Sequence, residues 1–301
     1  MVVSVIFPTY NRARILEEAI ASLVRQIAEE EANVEIIVVD NNSIDDTFKV
    51  VDALSKKLSS IAVRYCREQR QGLSFARNRG ILESHGDLIV FADDDIEFAD
   101  GWLRRCVQLF VENPDVDILG GPVLPYASTL PSWLPDKFSF LVGVWNHRGV
   151  LGRVNHLIGC NFCVRREVVD SVGGFDVNLG RKGELLLMGE ENDFFSRARK
   201  RGFSIFADEG MIVYHKIAAK LNMDYIIQNA ISSGAGLARY DRQDASWPRR
   251  VAKRGYYLVK YLYLASASRL VAGNNNIALT ISKQHAVGYL RGVRIKENRI
   301  E

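Results

Sequence analysis

Residues 87–95 read DLIVFADDD, and this stretch decides the fold class. The apolar run 88–92 lies between Gly86 and an acidic triplet, which is the pattern of a short buried strand. Acids that directly follow a strand of an open α/β sheet lie in the crevice where such sheets bind ligands. Carboxylates spaced as in Asp93-x-Asp95 supply the hard oxygen ligands that Mg²⁺ and Mn²⁺ prefer. A solvated acidic turn is the alternative interpretation of the triplet, and the rest of the chain is needed to choose between the two.

Around this stretch, short apolar runs alternate with segments of helical periodicity. We predict strands at 2–7, 34–39, 61–66 and 88–92, and helices at 12–28, 45–57 and 73–84. Ser43 is the predicted N-cap of the second helix. This alternation predicts an α/β fold with a doubly wound, mostly parallel sheet covered by helices. No G-x-G-x-x-G or P-loop motif follows the first strand, which disfavours dinucleotide-binding and P-loop proteins.

The second half of the chain is less regular. Residues 120–151 are rich in proline and aromatic residues, which indicates either a binding loop or a loop with a small core of its own. We then predict a strand at 156–164, a hairpin from 203–207 and 211–214, and helices from residue 224 to the end.

Composition narrows the class of protein. The chain has 301 residues, 48% hydrophobic and 25% charged, as in globular proteins. A net charge of +3 gives no indication of nucleic-acid binding, and no secretory signal or run of about 18 apolar residues is present. We interpret Cys160-x-x-Cys163 as structural, and expect all four cysteines to be reduced and the protein cytoplasmic. No pattern indicates the oligomeric state.

Polar residues follow several of the predicted strands. Thr9 and Arg12 follow the first strand, Asp40 follows the second, and the triplet follows the fourth. Because the carboxyl ends of parallel strands meet at one edge of the sheet, these residues can share one crevice.

Six motifs in order carry a resemblance to a known family. They are VIFPTYNR at 5–12, IIVVDNNSIDDT at 36–47, GLSFARNRG at 72–80, the acidic triplet, GGFD at 173–176 and GEE at 189–191. Together they resemble the family 2 glycosyltransferases of the GT-A fold over about residues 2–215. The resemblance implies a nucleotide-sugar donor, expected to be a UDP-sugar, a Mn²⁺ or Mg²⁺ ion, and inversion at the anomeric carbon.

The resemblance also implies a set of site residues. The expected donor-binding residues are Pro8, Thr9, Asn11, Arg12, Asp40, Asn42, Gly72, Arg77, Asn78, Asp93 and Asp94. Asp40 matches the acid that contacts uracil, whose N–H a carboxylate can accept. The expected metal ligands are Asp95, Asp93 and His215, with an ordinary surface histidine as the alternative for His215.

The expected catalytic base is Glu191, which removes the proton of the acceptor hydroxyl. It stands where the family commonly has Asp, so Glu190 and Asp193 remain rivals. An acidic helix start favoured by the helix dipole is the alternative without chemistry.

We therefore expect a catalytic domain at 1–220, divided into a nucleotide-binding half at 1–95 and an acceptor half at 96–220, and a helical extension at 221–301. The predicted function is metal-dependent, inverting transfer of a sugar from a UDP-sugar to a hydroxyl of a glycan or lipid-linked saccharide, as in cell-envelope polysaccharide biosynthesis. A nucleotidyltransferase that makes a nucleotide-sugar, or a non-catalytic protein that binds one, is the alternative.

The basic and aromatic segment 247–261 leaves two interpretations open. It fits peripheral contact with the inner face of a membrane, where aromatic side chains lie among headgroups. It also fits helices packed on the catalytic domain with a solvated basic face.

Overall fold

The computed structural model describes residues 1–27, 33–58, 60–183, 187–244, 246–267 and 274–292. By internal contacts the chain forms two compact units. The first comprises Met1–Thr129, Gly143–Asn178 and Glu190–Ile217, and the second comprises Leu130–Val142, Leu179–Gly189 and Ala218–Glu301. The division predicted at residue 220 stays a prediction, since compactness does not test whether either part folds alone.

The first unit begins with the alternation that the sequence predicts. Its elements are β1 (Val2–Thr9), α1 (Ala13–Ile27), β2 (Asn33–Asp40), α2 (Thr47–Lys57), β3 (Ala62–Arg67), α3 (Leu73–Glu83) and β4 (Leu88–Ala92). The same unit continues with β5 (Ile96–Phe98), α4 (Trp102–Glu112), β6 (Ile118–Gly120), β7 (Val123–Pro125), β8 (Gly152–Arg153), β9 (Asn161–Arg165), α5 (Arg166–Val172), α6 (Glu190–Lys200), β10 (Ile205–Ala207) and β11 (Val213–His215).

The described strands form two sheets. Eight strands lie in the order β3-β2-β1-β4-β9-β6-β10-β8, and three lie in the order β5-β11-β7. In the large sheet β1 pairs in parallel with β2 on one side and β4 on the other, while β9 is antiparallel to β4 and β6. The chain thus moves away from β1 in both directions, so β1 and β4 flank the switch point where such sheets bind ligands.

Both faces of the large sheet are covered, because alternate residues of β1 point to opposite sides. Val5 and Phe7 belong to one core, with residues of α1, α2 and α4, and Ile6 belongs to the other, with residues of α3, α5 and α6. Gly80 allows α3 to lie close to β1, since a Cβ there would be 2.3 Å from Cγ2 of Ile6. The α/β class and the covered, mostly parallel sheet are confirmed.

The second unit is helical among its described residues. It contains 3₁₀ turns at Asp136–Val142 and Ala218–Lys220, and the helices α7 (Met223–Asp244), α8 (Trp247–Ala267) and α9 (Asn274–Gly292). Helices α7 and α9 approach closely where glycines face backbone. A Cβ on Gly288 would lie 1.8 Å from the carbonyl oxygen of Ile231. No helix within the described ranges has both the length and the apolarity to cross a membrane.

Three local predictions are wrong. The strand predicted at 156–164 begins only at Asn161, so Cys160 precedes it in a turn. The hairpin predicted at 203–214 does not form, because β10 pairs with β6 and β8 whereas β11 pairs with β5 and β7 in the other sheet. Ser43 does not cap α2, since its hydroxyl accepts a hydrogen bond from the backbone of Asn11 and Asp46 occupies the N-cap.

Candidate active site

The acidic triplet lies where the parallel strands of the large sheet have their carboxyl-terminal ends, beside the end of β1. Thr9 ends β1 and pairs in register with Asp40 of β2, and Ala92 ends β4 directly before the triplet. The hydroxyl of Thr9 donates to Oδ2 of Asp94 at 2.8 Å. Three strand ends therefore meet at one edge, as the sequence predicts.

Arg12 forms ion pairs with the last two acids of the triplet. Its guanidinium lies 2.9 Å from Oδ1 of Asp94 and 3.0 Å from Oδ2 of Asp95, and both acids are buried. Burial raises the pKa of Asp94 to about 6, although Arg12 opposes the shift. Burial alone would lower the pKa of Arg12, but Asp94 and Asp95 outweigh it and raise that pKa. Asp94 is thus a buried member of an ion-pair network.

His215 lies against Asp95 because of strand pairing. In the small sheet His215 of β11 is opposite Ile96 of β5, and the backbone N–H of Lys216 donates to the carbonyl of Asp95. The ring Nε2 is 3.2 Å from Oδ1 of Asp95, and Nδ1 is 2.9 Å from the carbonyl oxygen of Gly143. Gly143 has φ of +70°, and a Cβ there would lie 2.6 Å from the His215 ring, so glycine is required.

The tautomer of His215 provides a test of metal binding. A carbonyl oxygen only accepts, so Nδ1 carries a proton toward Gly143. The lone pair on Nε2 then faces a carboxylate oxygen at 3.2 Å, and two acceptors at this distance repel unless a positive charge lies with them. A divalent cation or a second ring proton meets that requirement. Imidazole nitrogen and carboxylate oxygen are both ligands of divalent metal ions, so this pair fits such an ion.

Within the described ranges, no group of three or more His, Cys, Asp or Glu side chains is placed to hold a metal ion. Beside phosphates, Mg²⁺ is commonly bound through one or two carboxylates together with oxygens of the substrate. Asp93 is the partly exposed member of the triplet, with 31% of its side chain accessible.

Arg77 connects the triplet to the acidic start of α6. Its guanidinium lies 3.2 Å from Oδ1 of Asp93 and 3.0 Å from Oε1 of Glu190, and also donates to the carbonyl of Gly159 at 2.9 Å. The side chain is 2% exposed and lies over the ring of Phe175. One buried cation thus touches acids that are about a hundred positions apart, and it brings the triplet and the start of α6 together.

Among the three acids of α6, two have strong partners. Glu190 pairs with Arg77, and Asp193 pairs with Arg197 one turn further along the helix. Oε2 of Glu191 is buried and has no hydrogen-bond partner. Burial and the neighbouring Glu190 raise the pKa of Glu191 to about 8, against the opposing effect of Arg77. A carboxyl with an elevated pKa and an unengaged oxygen is suited to receive a proton.

Asp40 lies next along the sheet edge. Its Oδ1 accepts from the backbone N–H of Ser43 and its Oδ2 from the hydroxyl of Tyr65, each at 2.7 Å. Burial and the bond to Asp40 raise the pKa of Tyr65 to about 12, so the phenol stays protonated and donating. Tyr65 fixes the orientation of Asp40, and no sequence motif indicates it.

Other predicted donor-binding residues bind the protein itself. Asn11 accepts from the backbone of Ile44, Asn42 accepts from Arg67, and the N–H of Gly72 donates to the side chain of Asn41. Asn78 exchanges two hydrogen bonds with the backbone of Phe175, and Pro8 lies within β1 opposite Val39. These contacts shape the turns around the crevice.

All four cysteines lie within the described residues and carry free thiols. Cys106 and Cys163 are buried with their sulfurs 3.3 Å apart.

A covered α/β sheet with this switch point and acids at its edge is the architecture of the GT-A fold. The chain belongs to the glycosyl transferase family 2, whose sequence model matches residues 4–173. It is 27% identical over 285 residues to the glucosyl-dolichyl phosphate glucuronosyltransferase of Haloferax volcanii, and the alignment covers 90% of this chain and 86% of that protein.

Among the solved structures that share the fold, two contain a nucleotide or nucleotide-sugar together with Mn²⁺. The mannosyltransferase PcManGT from Pyrobaculum calidifontis, solved with GDP-Man and Mn²⁺, has a TM-score of 0.62 at 19% identity and covers 97% of this chain and 85% of its own. GalNAc-T7, solved with UDP, GalNAc and Mn²⁺, has a TM-score of 0.57 at 17% identity, and the match covers 82% of this chain and 51% of that one. The protein is therefore a glycosyltransferase with the predicted fold.

Proposed function

We propose that this glycosyltransferase moves a sugar from a UDP-sugar to a hydroxyl of a glycan or lipid-linked saccharide, with inversion and with a divalent cation. The observation that carries the proposal is the contact of Arg77 with both Asp93 and Glu190, which joins the donor side of the crevice to the acid pair of α6. Donor and acceptor groups need such proximity for a single displacement.

On the donor side, Asp40 would accept the N–H of the base. Both of its oxygens already accept one hydrogen bond from the protein. Each oxygen keeps an acceptor site, so the carboxylate can accept the ring N–H that uracil presents. Thr9 and Arg12 both donate to Asp94 and hold that acid in place.

Asp95 and His215, with Asp93 nearby in sequence, would hold Mn²⁺ or Mg²⁺. The ion would neutralise charge on the departing diphosphate. The pairing of His215 with the Gly143 carbonyl keeps Nε2 directed at Asp95. PcManGT and GalNAc-T7 were both solved with Mn²⁺, which supports a metal here.

Glu191 would act as the base. Its free Oε2 takes the proton of the acceptor hydroxyl while the acceptor oxygen forms a bond to the anomeric carbon. The bond from that carbon to the diphosphate oxygen breaks on the opposite side, and UDP leaves with the electron pair. Arg77 keeps Glu190 neutralised, so that the proton goes to Glu191.

The acceptor class rests on the relative from Haloferax volcanii, whose name describes a transferase acting on a glucosyl-dolichyl phosphate. That relative spans most of this chain, so a lipid-linked saccharide is the acceptor to test first.

The substitution Glu191→Gln tests the base. It keeps the shape of the side chain and removes its basicity, so transfer should fall by about 10²–10⁴-fold while UDP affinity stays within a factor of two. Transfer is measured as UDP released in the presence of acceptor, and affinity by calorimetry with UDP and Mn²⁺.

The matched control is Glu167→Gln, the same change at an exposed position on α5, which should leave transfer unchanged. Full transfer by a folded Glu191→Gln variant, or loss of UDP binding in it, would contradict the assignment.

A further inference from the structure

Helix α8 presents a continuous apolar and aromatic face to solvent. Large side chains there are 50–69% exposed, and they are Trp247, Val251, Tyr256, Leu258, Val259, Leu262 and Tyr263. At about 3.6 residues per turn, Trp247, Val251, Leu258 and Leu262 form one stripe along the helix, and Val259 and Tyr263 widen it. Contiguous exposed apolar surface of this kind marks an interaction site.

The opposite side of α8 attaches it to its unit. Leu264 is buried, and the ring of Tyr257 stacks on Tyr289 of α9 with centroids 3.9 Å apart. Lys253 pairs with the buried Asp241 of α7. The helix is therefore anchored along one side, and no described part of the chain covers its outer face.

Basic residues border the outer face. Helix α8 contains Arg249, Arg250, Lys253, Arg254 and Lys260 and no acidic residue. On a helical projection Arg254 lies at one margin of the exposed stripe, and Arg249 and Lys260 lie at the other. Lys260 also lies over the rings of Tyr256 and Tyr257. An apolar face with cationic margins is the arrangement that lies flat in a bilayer interface.

We propose that the outer face of α8 docks on an anionic phospholipid bilayer, with the helix parallel to the membrane plane. The valine and leucine side chains would enter the acyl boundary, Trp247, Tyr256 and Tyr263 would lie among the headgroups, and the arginine and lysine side chains would reach lipid phosphates. This inference is independent of the donor and of the reaction, since no residue assigned to either belongs to α8.

The charges on α8 favour an anionic bilayer over a second copy of the chain or a nucleic acid as the partner of this face. A second copy of the chain docked through the same face would bring two sets of uncompensated arginines together, with no acid on either helix. Nucleic acid would leave the apolar stripe without a partner, since its affinity comes from phosphate contacts. An anionic bilayer satisfies both the apolar and the cationic part.

Co-sedimentation of the full chain with large unilamellar vesicles tests the proposal without substrate. We expect pelleting with vesicles containing phosphatidylglycerol, at least tenfold weaker binding to pure phosphatidylcholine, and weakening in high salt. The double variant Leu258→Glu/Leu262→Glu should lose binding by at least tenfold. Brominated lipids should quench tryptophan fluorescence in the wild type and much less in Trp247→Phe.

Leu82→Glu is the matched control, because Leu82 is 79% exposed on α3 and outside α8. It should bind vesicles like the wild type, and circular dichroism checks that every variant is folded. Failure of the wild type to pellet with anionic vesicles at low salt overturns the proposal. Wild-type binding by the folded double variant overturns it as well. The proposal is also overturned if the wild type forms a dimer without binding vesicles and the double variant is a monomer.

Discussion

At the scale of single residues, the carboxyl of Glu191 experiences opposing influences. Burial and Glu190 favour its neutral form, while Arg77 favours the charged one, and the net effect raises its pKa to about 8. The ordinary pKa of a glutamate is far lower, so the site holds this proton near neutral pH. In the proposed reaction the group has to lose that proton before it can accept another.

The rate of transfer should therefore rise with pH. With saturating substrates and Mn²⁺, we expect kcat to fall about tenfold per pH unit below about 8 and to level off above it, because only the ionised fraction of Glu191 acts as the base. A pH profile of UDP release from pH 6 to 9.5 measures this. A flat profile across that range would show that Glu191 is not the titrating base.

The elevated pKa of Glu191 also affects the stability of the fold. Its contribution to stability decreases as pH rises, whereas the rate of transfer increases. A group whose pKa is higher in the folded state contributes stability below its unfolded pKa, and this contribution is lost as pH rises through about 8. As pH rises from 5 to 9, the midpoint of thermal unfolding of Glu191→Gln should therefore increase relative to the midpoint of the wild type.

At the scale of elements, one arginine of α3 joins the acidic triplet after β4 to the first residue of α6. Removing it by Arg77→Ala would leave Asp93 and the buried Glu190 without their cation, and we expect a loss of about 3–5 kcal/mol in the free energy of unfolding. Arg79→Ala, two positions along α3, is the control. Arg79 forms a partly exposed i,i+4 pair with Glu83, so its loss should cost at most about 1 kcal/mol.

Urea denaturation compares the two variants. Equal losses for Arg77→Ala and Arg79→Ala would contradict a buried, energetically essential bridge.

The close approach of α7 and α9 depends on a missing side chain. Because a Cβ at Gly288 would lie 1.8 Å from the Ile231 carbonyl oxygen, Gly288→Ala should force the helices apart and cost about 1–3 kcal/mol. Gly255→Ala on α8 meets no atom within 4 Å and should stabilise by roughly 0.5–1 kcal/mol through helix propensity. Thermal unfolding of both variants gives opposite shifts if the packing is as described, and a Gly288→Ala variant as stable as the wild type would refute it.

At the scale of the whole molecule, ligand binding should appear as stability. A ligand that binds only the folded protein stabilises it by about 2.7 kcal/mol at a hundred times its Kd. We expect UDP with Mn²⁺ to raise the unfolding midpoint by several degrees, and GDP with Mn²⁺ or UDP with EDTA to raise it much less. Scanning fluorimetry measures the shifts, and a larger shift with GDP would assign a guanine donor instead.

Much of the first unit could be predicted from the sequence. Strands β1, β2 and β4 have the apolar runs of buried parallel strands. Each ends at a polar residue or directly before one, and the structure brings these residues, such as Thr9 and Asp40, to the same edge. Where β-strands are only three residues long, periodicity carries too little information. The sequence therefore predicts a hairpin at 203–214, although β10 and β11 belong to different sheets.

The contacts that complete the crevice could not be predicted in the same way. Tyr65 reaches Asp40, and the Gly143 carbonyl reaches His215, through pairings between segments far apart in sequence. The resemblance predicts Arg77 beside the donor, and the structure adds its ion pair with Glu190, which depends on how α6 packs. No local pattern records such packing. The individual roles proposed for these residues stay predictions until the variants are measured.

The three-stranded sheet also has an implication for how the chain tolerates change. His215 meets Asp95 because β5 continues directly from the triplet and runs antiparallel to β11 with three matched positions. Successive side chains of a strand alternate in direction, so a slip of a single position would turn the imidazole to the far side of the ribbon. An insertion or deletion of one residue between Asp208 and Val213 would thus separate the two candidate ligands while leaving every residue of the crevice chemically intact.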